Sequence, residues 1–287
     1  MDAPSRLVTA VKRQQREWLG HWHKQHGRQA IWQPDNPGRL VDPALNLFEP
    51  MSPSTRLEYW NGDGDELGRR EPLNGKILSP HSSAALCCNL FHYWRERHLL
   101  GEIARAVGIG DSGIDGLRFE MRLRIPGIRG TPPNLDAILT YGDGRLVGFE
   151  CKFTEGYAKK TEMLSTQYTR ATELWRGMSH LHELAKRVCR APYAGYAGVP
   201  QLITRLLAMN AFAKPRRFTL VYLWFDLGGS VAAEHRKEVE WFREELDRDK
   251  IDFIDITYQK VLRRLRDYCA TSHTEYVTYM TSRYLGD

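Results

Sequence analysis

Asn134-Leu135-Asp136-Ala137-Ile138-Leu139-Thr140-Tyr141, then Gly142-Asp143-Gly144, then Arg145-Leu146-Val147-Gly148-Phe149-Glu150-Cys151-Lys152-Phe153: this stretch decides the fold. Two apolar runs flank a Gly-Asp-Gly turn, which suits a three-residue hairpin loop with glycine at its left-handed position. With 142–144 as the loop, Tyr141 faces Arg145, and Asp136 stands opposite Glu150. Side chains alternate along a strand, so Lys152 shares the face of Glu150. Opposed Cβ atoms lie about 4.5–5.5 Å apart, where like charges repel. A solvated surface hairpin would tolerate this, but Leu146, Val147, Phe149 and Phe153 read as a buried strand. Buried charges need a partner or a metal. Mg²⁺ or Mn²⁺ held by Asp136 and Glu150 meets that need, because hard cations prefer oxygen ligands. Lys152 is then placed to orient a water or to offset negative charge as it develops.

Outward from the hairpin, Phe119, Met121, Leu123 and Ile125 alternate with Glu120, Arg122 and Arg124, which predicts a strand. Before it, a helix capped by Ser82 or Ser83 is expected to run to about Val107 and to end at Gly108 and Gly110. After the hairpin, a long helical stretch is expected over about 160–190, a loop over 191–200 and a helix over 201–213. Phe218 to Phe225 reads as a strand buried on both faces. A helix over 231–248, a strand over 251–257 and a basic helix to about 270 follow. The order helix, three strands, helix, strand predicts an α/β or α+β fold with a mixed sheet. At the N-terminus, residues 5–27 read as an amphipathic helix. Residues 33–80 hold seven of the 14 prolines and read as an irregular arm. The chain is thus divided into 1–80, helix and arm packed on the body, and 81–287, the main domain.

The 287 residues suffice for a sizeable core, and the composition is globular, with 42% hydrophobic and 26% charged residues. Forty-one Lys and Arg against 35 Asp and Glu give a net charge of +6, which permits a nucleic-acid partner. Five cysteines without a CxxC pair argue against a disulfide framework or a zinc ribbon and for a reducing compartment, and hence a cytoplasmic location. No run of 18 apolar residues predicts a membrane helix, and the opening Met-Asp-Ala-Pro-Ser-Arg-Leu-Val carries no secretory pattern.

Asp136, the gap, and Glu150-x-Lys152, set in this order of elements, resemble the PD-(D/E)XK nuclease superfamily. The string Phe149-Glu-Cys-Lys-Phe-Thr-Glu155, with Ser82, Ser83 and Asn89 upstream, is similar more narrowly to the PGN-0703-like group of restriction endonucleases. The resemblance covers about residues 80–225. It implies a restriction-endonuclease-like core, Asp136 and Glu150 as metal ligands, Lys152 as the motif lysine, and Mg²⁺-dependent cleavage of phosphodiester bonds in DNA in a restriction or defence setting. The family proline directly before the aspartate stands here at Pro133. Many members add an upstream glutamate. Glu120 falls one diagonal step from Asp136 if Ile125 pairs near Pro133, and Glu102 is the alternative on the preceding helix. Related nucleases carry a glutamine on the helix after the motif, which points to Gln167 as a further catalytic residue, with Arg170 on its face.

Lys159 and Lys160 are candidates for phosphate contact, as are Trp18, Trp22, Arg13, Arg16, Arg263, Arg264 and Arg266 for holding a duplex. His21, His23 and His26 lack metal-ligand spacing on a helix and read as a solvated face. Asn61-Gly-Asp-Gly-Asp-Glu lacks the spacing of a calcium loop. A homodimer would suit cutting two strands, and a methyltransferase partner is left open. The rival readings are a non-cleaving nucleic-acid-binding module on the same fold, and a protein whose hairpin charges are coincidental.

Overall fold

The hairpin forms in the expected register. In a computed structural model that describes residues 3–69, 71–213, 217–269 and 271–286, the strands are β1 (Ile114–Arg122), β2 (Asn134–Tyr141), β3 (Leu146–Lys152), β4 (Lys160–Glu162), β5 (Tyr193–Gly195), β6 (Phe218–Trp224) and β7 (Phe253–Thr257). β2 and β3 pair from Thr140↔Leu146 to Ala137↔Phe149. Gly144, at φ 83°, closes the turn. β1 pairs antiparallel with β2, whereas β6 lies parallel to β3 and β7 parallel to β6. The result is a five-stranded mixed sheet in the order β1-β2-β3-β6-β7, beside a two-stranded ribbon of β4 and β5.

The helices are α1 (Ala3–Gln25), α2 (Pro53–Asn61), α3 (Ser83–Glu96), α4 (Leu100–Val107), α5 (Thr166–Arg170), α6 (Ser179–Arg190), α7 (Val199–Phe212), α8 (Gly229–Asp247), α9 (Tyr258–Cys269) and α10 (Thr274–Tyr284). They cover both faces of the sheet, and all seven residues of β3 are buried between them. One core joins α3, α4, α9 and α10 to Leu117, Phe119, Ala137, Phe149 and Val221. The other joins α6, α7 and α8 to Leu123, Ile125, Leu135, Ile138 and Tyr222. This mixed sheet with helices on both faces is consistent with the expected α+β restriction-endonuclease-like core. Among the described residues, no helix is long and apolar enough to cross a membrane.

β1 changes faces midway. Leu117 and Phe119 enter the first core, whereas Leu123 and Ile125 enter the second. Between them Glu120 sits at φ 49°, a left-handed conformation unusual for a side-chain-bearing residue. On β3, Gly148 lets α7 lie close to the sheet. A Cβ there would stand 2.7 Å from Met209 Sδ and 3.0 Å from Leu135 Cδ1.

Several expected elements divide. The helix from residue 82 starts as read, with Ser82 accepting the Ala85 N–H at 3.2 Å. It breaks at His98, φ 57°, so α3 and α4 are separate, and Gly108 ends the second. The stretch 160–190 is not one helix, because β4 pairs with β5 from the expected loop, Lys160↔Gly195 to Glu162↔Tyr193. The arm contains α2, which Pro53 starts and Ser52 caps. α10 lies beyond the last expected helix. His23 is buried and bonds through Nε2 to the Leu45 carbonyl at 2.7 Å, so it is a packing residue and not part of a solvated face.

α10 ties the arm to the body through Arg283, whose side chain is fully buried. Its guanidinium donates to Gln15 Oε1 at 3.0 Å, to the Asn46 carbonyl at 2.8 Å and to the Pro80 carbonyl at 3.0 Å. Trp18 and Trp22 stack with centroids 5.1 Å apart, and both meet Tyr279 edge-on.

Candidate functional site

The β2–β3 ladder stops one residue before the carboxylates. Past Ala137↔Phe149 the strands splay, and Asp136 Oδ2 takes the Cys151 N–H at 2.6 Å. The carboxylate thus replaces a backbone acceptor and is anchored where β3 runs into a cavity of about 740 Å³. Glu120, Asn134, Asp136, Glu150 and Lys152 all line that cavity.

Glu150 is 1% exposed. Lys152 Nζ donates to its Oε1 at 2.7 Å, and Arg205 Nε donates to its Oε2. Lys152 also donates to Gln201 Oε1 at 3.1 Å. Burial alone would raise the pKa of Glu150, but the charges of Arg205 and Lys152 hold it below the usual carboxylate value. Asp136 has no such pair of cations. Burial and the neighbouring Glu150 charge push it up to about 7. Glu120 is driven well up by burial and by Asp136. Burial would strip the proton from Lys152, but Glu150, Glu155 and Asp136 hold it on.

Glu120 reaches the cavity by a different register from the one expected. Phe119 pairs with Ala137 and Met121 with Leu135, which brings Glu120 across from Asp136 itself, not one diagonal step away. Its carboxylate accepts from Asn134 Nδ2, and Asn134 Oδ1 is buried with no partner. Glu102 lies on α4, bound by Arg105 at 3.0 Å and by the Cys269 thiol, and is not part of the cavity lining. The arm supplies another wall. The backbone at Gly62 lies so close that a Cβ there would be 2.6 Å from Glu120 Cβ. Beyond it Asp63 and Glu66 also face the cavity, and Glu66 pairs with Lys76 at 3.4 Å.

Gln167 is not among the cavity residues. Both ends of its amide are bound to the backbone of Arg129. Gln201 and Arg205 meet the motif residues instead, from α7, and the sequence reading missed both. The available signal was weak: two polar residues at i and i+4 on one face of a mostly apolar helix that also carries Thr204 and Asn210. Lys160 and Tyr168 line the cavity, as does Glu155, which accepts the Phe153 N–H at 3.2 Å. Lys159 pairs with Glu234 at 3.5 Å. Of the residues considered for holding a duplex, Trp18 and Trp22 are packed on α10, Arg16 covers Trp32, and Arg264 donates to the Ala106 carbonyl at 2.9 Å.

The donor set suits a hard divalent ion: oxygen atoms of Asp136, Glu150 and Glu120, and the orphaned amide oxygen of Asn134. In this arrangement, with both Glu150 oxygens taken by cations, the described residues contain no group of three or more His, Cys, Asp or Glu side chains converged for an ion.

No curated protein and no solved structure matches the chain. One family model does, described as restriction endonuclease associating with ARP, over residues 13–285. That match takes in α1, the arm and α10 as well as the sheet. The narrower group suggested by Phe149–Glu155 is a different one, and what the two share is restriction-endonuclease character. A match spanning the cavity, both cores and the N-terminal wall shows that the chain belongs to the family of restriction endonucleases associating with ARP.

Proposed function

We propose that the protein is a metal-dependent endodeoxyribonuclease of the PD-(D/E)XK type, working in a restriction or defence setting. The observation that carries this reading is the meeting of Asp136, Glu150 and Lys152 in one buried polar cavity where β2 and β3 splay. The likeness of Phe149–Glu155 to the PGN-0703-like group supports the same chemistry. Asp136 and Glu150 would hold Mg²⁺ or Mn²⁺, with Glu120 as the third carboxylate. An ion held there would lower the pKa of a water and offset charge on a phosphate. Lys152 keeps its proton among three carboxylates and presents one positive charge where a phosphate would gain negative charge. Gln201 and Arg205 orient Lys152 and Glu150 from α7. Binding alone does not require carboxylates beside a phosphate, which disfavours a non-cleaving module. Five free, buried cysteines accord with a cytoplasmic setting.

The test is incubation of the pure protein with supercoiled plasmid in Mg²⁺, Mn²⁺ or EDTA. Nicking or linearisation with either ion and none with EDTA is expected. Asp136→Asn should abolish it and weaken Mn²⁺ binding in calorimetry. A gel shift without cleavage would establish the binding module, and unchanged Mn²⁺ affinity in Asp136→Asn would put the ion elsewhere.

A further inference from the structure

Gln167 is committed to a single neighbour. Its Oε1 accepts the Arg129 N–H at 2.9 Å, and its Nε2 donates to the Arg129 carbonyl at 3.0 Å. Two bonds to one residue hold its backbone as a paired strand would. The residue so held sits on the loop between β1 and β2, among positions that are mostly exposed. Gly127 and Gly130 flank it at φ 78° and 98°. Nothing lies within 4 Å of where a Cβ would stand on either, so they serve the path of the chain and not close packing. Ile128 packs against the second core. The backbone at Arg129 is therefore fixed from two sides.

Its side chain is not. Arg129 is exposed, and among the described residues its guanidinium has no hydrogen bond or ion pair. Arg124, at the start of the loop, and Arg170, one helical turn past Gln167, are exposed and unpaired in the same sense. Nearby Arg122 and Arg176 do find carboxylates, Asp63 and Glu173. Two residues past Arg129 the loop becomes cavity wall, with Thr131, Pro132 and Pro133.

A solvated arginine that only improves solubility has no use for a clamped backbone. A guanidinium that must meet two acceptors in one plane does, because preorganisation lowers the cost of binding. The planar pair an arginine matches best in duplex DNA is O6 and N7 of guanine. We infer that Arg129 reads a guanine in DNA bound across the cavity mouth, that Gln167 is its positioning residue, and that Arg124 and Arg170 contact flanking phosphates. The inference rests on the proposed DNA substrate.

The experiment is selection of bound duplexes from a randomised pool in EDTA, followed by sequencing, beside salt-dependent anisotropy on one selected duplex. Wild-type protein should enrich a guanine at one position, on the order of 10- to 100-fold over other bases. Arg129→Ala should lose that preference, and Arg129→Lys should keep only part of it, because an ammonium can still reach guanine O6 and N7 but lacks the planar fork. The lysine variant should keep the wild-type salt dependence, since it keeps the charge. Gln167→Ala should blur the preference, and Gln167→Glu should blur it at least as much, because its second carboxylate oxygen would face the Arg129 carbonyl to which Nε2 now donates. Single-turnover cleavage of saturating DNA should stay within a few-fold of wild type in both Gln167 variants. An unchanged preference in Arg129→Ala, or equal weakening on all sequences in that variant, leaves Arg129 at most a phosphate contact and overturns the inference. A large loss of cleavage rate in Gln167→Ala with unchanged selection makes Gln167 catalytic and overturns it too. Wild-type protein that retains no duplex sinks the DNA reading, and this inference with it.

Discussion

Replacing Arg205 with methionine removes one of the two cations on Glu150 and keeps most of the side chain's length. Arg205 is itself largely buried, so solvent does little to screen the pair. Two unit charges about 4 Å apart attract by about 4 kcal/mol at an effective dielectric of about 20. Lys152 stays on the other oxygen of Glu150 at 2.7 Å, so the carboxylate is not abandoned. Sharing between two cations reduces the specific Arg205–Glu150 coupling to roughly half that figure, about 2 kcal/mol. The assay is a double-mutant cycle in urea with EDTA present, using Arg205→Met, Glu150→Gln and the pair. Each single variant should lose about 3 kcal/mol. The double variant should be less destabilised than the sum of the two by about 2 kcal/mol. Additivity within about 0.5 kcal/mol would refute the argument, because it would mean that Arg205 and Glu150 do not feel each other.

Other expectations follow from the same geometry. Lys152→Ala should lower single-turnover cleavage by on the order of 10²–10³ while DNA binding holds, at a loss of stability of about 3 kcal/mol like that of Arg205→Met, and Lys152→Arg should not restore the rate, since the guanidinium is bulkier and its charge spread out; a rate within a few-fold of wild type removes the lysine from the chemistry. Burial and the nearby Lys152 charge hold His235 down to about 4, so the unfolded chain binds more protons than the native one between about pH 6.5 and 4. Stability should therefore fall as the pH is lowered through that window, by on the order of 3 kcal/mol from this residue, and urea midpoints for His235→Gln should show a shallower fall. Gly148→Ala places a methyl group 2.7 Å from Met209 Sδ and should cost about 1–3 kcal/mol as α7 is pushed off the sheet, read as a lowered thermal midpoint with slower cleavage.

The hairpin was legible because a short turn and a strict two-residue alternation are local facts. Once Gly142-Asp143-Gly144 forms the loop, every later pair is determined, and the pairs down to Ala137↔Phe149 follow. β6 was legible from its apolar run. Glu120, expected as the upstream acidic ligand, does line the cavity, but its pairing depended on a seven-residue loop and on a left-handed backbone that no pattern announces. Gln167 was misplaced because helical periodicity over 160–190 is overridden by the long-range pairing of β4 with β5. Arg205 and Gln201 were missed for a related reason. What brings them to Glu150 and Lys152 is the parallel packing of β6 on β3 and the space left by Gly148, and neither is written near them in the chain. α2 was hidden by counting Pro53 as a breaker, when a proline in the first turn starts a helix.

The latch at Arg283 has a consequence for how the molecule is made. It grips Pro80 across 203 residues and Asn46 across 237. At translation rates of about 5–20 residues per second, the N-terminal wall waits roughly ten to fifty seconds for the side chain that secures it. Through that interval Trp18 and Trp22 have no Tyr279 to cover them. The emerging chain thus carries uncovered aromatic surface through that interval, and the carboxylate cavity gains its latched wall only after the segment carrying Arg283 has been made.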